Sequence, residues 1–174
     1  INGFPYSDTM LVSISNAINT GLTDEEVTKA IIDFMTSKVE INFTETVIPV
    51  NKYKDDKTIK PIRVYFRVTT INNLAFNGSN LKKITAPLVT KIAMNVFENC
   101  KDLEELSLGS YNYKTGLSNS FSLRNSPKVK KLILGDNSDI IAADYNTKLA
   151  YGNPNIEIYT NSGKKYNKLT NKFE

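Results

Sequence analysis

The sequence predicts an α+β chain whose larger part is a short solenoid, about three to four coils with their strands stacked in parallel. Three observations carry this. An apolar-x-x-apolar-x-apolar segment returns three times within residues 68–134, at offsets of about 21 to 26 residues, the mark of stacked structural units. Ahead of each copy stand a large apolar residue and then a small one: Phe76 and Ser79, Phe97 and Cys100, Leu123 and Ser126. The remaining chain changes period, from helical spacing in residues 1–38 to two-residue alternation in residues 39–67. The expected divisions are therefore a helical hairpin at 1–38, a β-hairpin at 39–67 and a repeat domain with a closing strand at 68–174.

In the first segment, Ser7 or Asp8 can cap a short helix on which Leu11, Ile14 and Ile18 share a face, ended by Thr20-Gly21. Thr23-Asp-Glu-Glu26 is a capping box, with Leu22 and Val27 as its staple. It opens a second helix over 23–38, on which Val27, Ala30, Ile31, Phe34 and Met35 form an apolar stripe. Such a hairpin suits the cap that a solenoid needs over its open edge, or an assembly segment that pairs with other subunits.

In the second segment, Val39-Glu-Ile41-Asn-Phe43 alternates, and so does the stretch from Pro61. Ile62, Val64, Phe66 and Val68 share one face and Arg63, Tyr65 and Arg67 the other. The pair reads as a β-hairpin leading into the first coil. The Arg-Tyr-Arg face reads as the polar side of an edge strand, or as a surface that stacks on a sugar or base.

In the third segment, strand alternation turns Leu106 and Leu108 one way and Glu105 and Ser107 the other. The positions left for display on the strands are Lys83, Thr85, Glu105, Ser107, Lys131 and Ile133, the expected ligand-binding surface. Two polar inserts interrupt the coils. Residues 109–120 carry Tyr111 and Tyr113, and residues 135–152 carry Asp136, Asp139, Asp144, Tyr145 and Tyr151. Inserts of this kind map to loops on one face, often a binding face.

The residues Val89, Ile92, Phe97, Cys100, Leu103 and Leu106 resemble the BspA-type leucine-rich repeats of bacterial and protozoan surface proteins. Val68, Ile71, Ala75, Phe76, Leu81 and Ile84 follow the same pattern with one residue deleted and Ser79 near the cysteine position. The tail around Ile156-Glu-Ile-Tyr159 is similar to the strand that closes such arrays. The resemblance implies a non-enzymatic module that attaches a cell surface or a virion to a protein or glycan.

Composition narrows the alternatives. The chain has 174 residues and a net charge of +4, and residues 1–40 hold six acidic and two basic side chains. The lysines are spread without aromatic clusters, which disfavours nucleic acid as a partner. With no histidine, Ser-His-Asp, Cys-His and His-metal sites are excluded, and one cysteine excludes an intrachain disulfide. Cys100 reads as a small buried hydrophobe. Asp136-Asn-Ser-Asp139 lacks the glycine and glutamate of a calcium loop. No catalytic residue, cofactor, metal site or membrane span is expected. Asn42-Phe-Thr44 and Asn77-Gly-Ser79 match the glycosylation pattern. An opening at Ile1 with no methionine or leader reads as a processed, truncated or partly ordered chain. That reading motivates the alternative of a structural domain in a larger appendage, such as a phage tail fibre, a baseplate or a surface fibre.

Overall fold

The computed structural model describes residues 39–42, 44–112 and 121–174, and Glu25. The helical hairpin expected over 1–38 lies outside the described residues, as does Tyr113. In chain order the strands are β1 (Val39–Asn42), β2 (Val47–Ile48), β3 (Ile62–Tyr65), β4 (Thr70–Ile71), β5 (Lys83–Ala86), β6 (Lys91–Ile92), β7 (Glu105–Leu108) and β8 (Lys131–Leu134). A helical turn α1 (Ala142–Asp144) runs into a π-helical turn (Tyr145–Leu149), and β9 (Glu157–Thr160), β10 (Tyr166–Asn167) and β11 (Lys172–Phe173) follow.

Six strands form one sheet in the order β1-β3-β5-β7-β8-β9, and β2-β4-β6 form a second. Every pairing in both is parallel. The register of the large sheet advances from Val39 to Ile62, Lys83, Glu105, Lys131 and Glu157, in steps of 23, 21, 22, 26 and 26 residues. Each step is one turn of the solenoid. Five coils therefore join six strands, more than the three to four expected. The first and last lack the leucine pattern that marks the middle ones.

The β-hairpin expected over 39–67 is not formed, because β1 and β3 run parallel. Parallel neighbours need a long crossover, and the described residues 44–61 lie in it. Tyr53 and Ile59 within it are buried, and the Tyr53 N–H donates to Ala75 O at 2.7 Å. Residues 39–67 thus belong to the repeat, which does not begin at Val68.

The core lies behind the large sheet in two rows. One row is Arg63, Ile84, Leu106, Leu132 and Ile158; the other is Tyr65, Ala86, Leu108, Leu134 and Thr160. The phase expected for β3 is reversed. Arg63 and Tyr65 are 5% and 1% exposed, while Ile62 and Val64 are half-buried on the outer face. Stacking sets this phase, since Arg63 is in register with Ile84 and Val64 with Thr85.

Two further columns hold the coils together. Tyr53 stacks on Phe76 at 5.1 Å between ring centroids and Phe76 on Phe97 at 5.6 Å, with Phe121 edge-on to Phe97 at 6.0 Å. Each such ring contributes about 1.5–3 kcal/mol by leaving water. Beside them runs a polar column. Cys100 Sγ donates to Phe76 O at 3.0 Å, and Ser126 Oγ donates to Phe97 O at 2.6 Å. Asn153 Nδ2 reaches Leu123 O at 3.5 Å. In these three coils the residue at that position thus satisfies a carbonyl of the coil before it, whereas Ser79 Oγ accepts the Leu81 N–H at 3.5 Å. In the same turn a left-handed residue recurs: Asp55, Gly78, Asn99, Asn125 and Gly152, with φ of 56, 69, 59, 60 and 79°. Glycine, asparagine and aspartate tolerate that region best.

The tail does two jobs. The expected closing strand is β9, the last strand of the sheet. Beyond it, β10 and β11 pair antiparallel and set Tyr166 between Tyr145 and Phe173, at 5.3 and 5.5 Å between centroids. This hairpin covers the apolar end of the last coil.

Candidate functional site: the outer face of the large sheet

The two-residue period that sends the leucines inward sends the alternate positions to one outer face. There the register lines up Lys83, Glu105, Lys131 and Glu157 in one row and Thr85, Ser107, Ile133 and Tyr159 in the next. All six positions expected from the sequence fall on this face in adjacent places. Glu157 and Tyr159 extend both rows by one strand. Their signal was present in Ile156-Glu-Ile-Tyr159, whose alternation points glutamate and tyrosine outward, but that stretch reads first as a closing cap.

The charges on this face are partly matched. Lys83 Nζ lies 2.9 Å from Glu105 Oε1, a direct cross-strand pair. Glu157 is bound by Lys165 Nζ at 2.5 Å and by the Tyr159 hydroxyl at 3.1 Å. The hydrogen bond from Lys165 and then that from Tyr159 hold the Glu157 carboxyl below the usual range, and the same contact with Glu157 raises Lys165. The ammonium groups of Lys131 and Lys165 sit 5.7 and 5.6 Å from the Tyr159 ring centroid. Among the described residues Lys131 ion-pairs with no carboxylate. A groove of about 550 Å³ opens here, with Ser107, Lys131, Ile133, Glu157 and Tyr159 in its lining. Aromatic, aliphatic and charged groups side by side can hold a partner's apolar side chain and fix it with a charge.

Other residues singled out from the sequence lie elsewhere. Tyr111 is fully buried and donates its hydroxyl to Asp144 Oδ2 at 2.8 Å, so it belongs to the core and not to a contact loop. Burial, and then the hydrogen bond to Asp144, push its phenol well above the usual value. Tyr145 is buried as well, whereas Tyr151 is 51% exposed with Arg124 5.6 Å from its ring centroid. Asp136 accepts the Ser162 N–H at 2.8 Å and so ties two turns together. Among the described residues no group of three or more Cys, Asp or Glu is placed to hold a metal ion. Arg63 and Tyr65 face inward and offer no stacking surface, leaving only Arg67 of that trio exposed. Asn77 is buried and donates to Asn95 O at 3.1 Å, which removes it as a surface acceptor for a glycan. Among the described residues no helix is long and apolar enough to cross a membrane.

A family model described as BspA type leucine rich repeat region (6 copies) matches residues 34–148. No curated protein and no solved structure matches the chain. Repeats of this type are generally non-enzymatic, often surface-associated and involved in protein binding. The stacked parallel strands, the recurring polar column and the matched span all agree: the chain belongs to the BspA-type leucine-rich repeat family.

Proposed function

We propose that this chain is a non-enzymatic attachment module whose outer face, Lys83, Thr85, Glu105, Ser107, Lys131 and Ile133 with Glu157 and Tyr159, contacts a protein or glycan receptor outside the cell or on a virion. The observation that supports this most is the commitment of the inward rows and the aromatic column to stacking. Two continuous rows of mixed side chains remain for contact on rigid strands. Such mixing suits a protein or glycan better than a phosphate backbone.

The test is the triple change Lys83→Ala, Glu105→Ala and Lys131→Ala. Lys131 is exposed and Lys83 and Glu105 are half-buried on the sheet surface, where substitutions alter stability by about 0.5 kcal/mol each, so the fold survives. Attachment of the purified protein to target cells or immobilised surface extract is expected to weaken at least tenfold. Attachment unchanged by the triple, and also by Tyr159→Ala, would remove the outer face from consideration.

A further inference from the structure

We propose that the outer face pairs with the same face of a second copy of this chain, about a two-fold axis lying between the two sheets and running along the strands. This rests on the reading of the outer face as the contact surface and names its partner. The most common closed assembly is a two-fold dimer, which requires a surface complementary to itself. Such an axis reverses the order of the stacked strands while keeping each row opposite itself.

Both rows meet that requirement. Over β5, β7, β8 and β9 the first reads Lys83, Glu105, Lys131, Glu157, with Ile62 of β3 next to Lys83 and outside the pairing. Reversed, it places Lys83 against Glu157 of the second copy and Glu105 against Lys131 of the second copy. Four contacts form in all, each between opposite charges. The second row reads Thr85, Ser107, Ile133, Tyr159. Reversed, it places Tyr159 over Thr85 and Ile133 over Ser107, large against small. Charge and size are independent properties, and one operation matches both. Lys131, which among the described residues ion-pairs with no carboxylate, gains a direct one.

The face is small. The pairing uses four of the six strands, about 4.8 Å apart, so the patch belongs to the small, weak class of interfaces. The pairing is therefore concentration-dependent and weakened by salt, which screens exposed charges beyond about 8–10 Å.

Sedimentation equilibrium of the full chain, over a dilution series reaching hundreds of micromolar, tests this with two variants. Lys83→Glu with Lys131→Glu makes the first row entirely acidic. Glu105→Lys with Glu157→Lys makes it entirely basic. The unaltered chain is expected to form dimers that dissociate on dilution and in high salt. Each variant alone is expected to be monomeric, and an equimolar mixture of the two to form a mixed dimer. Thr85→Tyr, which fills the space over Thr85 without changing charge, is expected to lose pairing as well. Circular dichroism melts confirm that each variant folds. A monomeric unaltered chain at every concentration overturns the proposal. So does dimerisation by either charge variant alone, or an equimolar mixture that stays monomeric. The two readings fail separately: a monomeric unaltered chain overturns pairing whatever the attachment assay returns, and attachment that the outer-face variants leave unchanged, with pairing intact in the unaltered chain, overturns only the outside receptor.

Discussion

Arg63 holds a core position that its row otherwise gives to Ile84, Leu106, Leu132 and Ile158, and replacing it isolates what a buried guanidinium contributes. Its Nη1 pairs with Glu40 and donates to the Tyr53 hydroxyl at 3.3 Å, and the guanidinium carbon lies 4.5 Å from the Tyr53 ring centroid. Its Nε, although buried, has no partner. Arg63→Met removes the charge and keeps much of the volume. The loss is the ion pair with the part-exposed Glu40, about 0.2–1 kcal/mol, a long charged hydrogen bond, about 1.5 kcal/mol, and a cation–π contact, about 0.5–1 kcal/mol. The gain is relief of one unpaired buried donor, about 1–3 kcal/mol, and of part of the guanidinium desolvation, which is several kcal/mol per ion. The expected net change is between zero and about 2 kcal/mol of added stability. Tyr53 keeps the hydrogen bond from Tyr65, at 2.9 Å. Glu40→Ala acts the other way, leaving a charge buried without its counterion. Such a break costs about 3–5 kcal/mol between fully buried partners. The Glu40 side chain is 37% exposed, so a smaller loss, about 1–3 kcal/mol, is expected. Urea unfolding of both single variants and the double reads the three numbers directly, and in the Arg63→Met background Glu40→Ala should cost almost nothing. A loss above about 3 kcal/mol for Arg63→Met, with Glu40→Ala neutral, would refute this account.

Three other outcomes follow from the packing. Gly109→Ala should lose about 1–3 kcal/mol in thermal unfolding, because a Cβ there would stand 2.1 Å from Val89 O, a backbone atom held by its coil. Tyr111→Phe should lose about 1–2 kcal/mol by the same measurement, since it removes a buried donor from Asp144, whose other oxygen keeps Lys148 at 2.8 Å. Cys100 should resist thiol reagents in the native state, and Cys100→Ser should fold with a loss under about 1.5 kcal/mol, because Ser126 makes the equivalent bond one coil on. Burial raises the Cys100 thiol from 9.0 to about 11, so the unfolded chain gives up this proton first. Stability present below pH 9 is then lost as pH rises toward 11, and the Cys100→Ser chain should show a shallower fall over that window.

Most of the outer face could be read from the chain because its determinants are local. Once Leu106 and Leu108 are placed inward, Glu105 and Ser107 must point outward, and the repeat carries that phase to Lys83 and Lys131. The same logic reaches Glu157 and Tyr159, whose coil lacks the leucines that advertise it. The leucine pattern does not single out Asn99 and Asn125. In the fold they are turn positions with φ near 60°, set one per coil.

The repeat pattern is enough to give the solenoid, the stacking of β5, β7 and β8, and the burial of Cys100. Each follows from a period, and a period survives without knowledge of distant contacts. The phase of β3, the parallel pairing of β1 with β3 and the core position of Tyr111 depend instead on contacts made in the folded chain. Alternation says that two faces differ but not which is buried when both carry large side chains. In β3 the choice falls to Arg63 and Tyr65 because Tyr53 and Glu40, more than nine residues away along the chain, arrive to satisfy them. Tyr111 likewise goes inside because Asp144 waits there, 33 residues on, to accept its hydroxyl. A buried polar group is decided by its partner, and the partner's position exists only once the chain has folded.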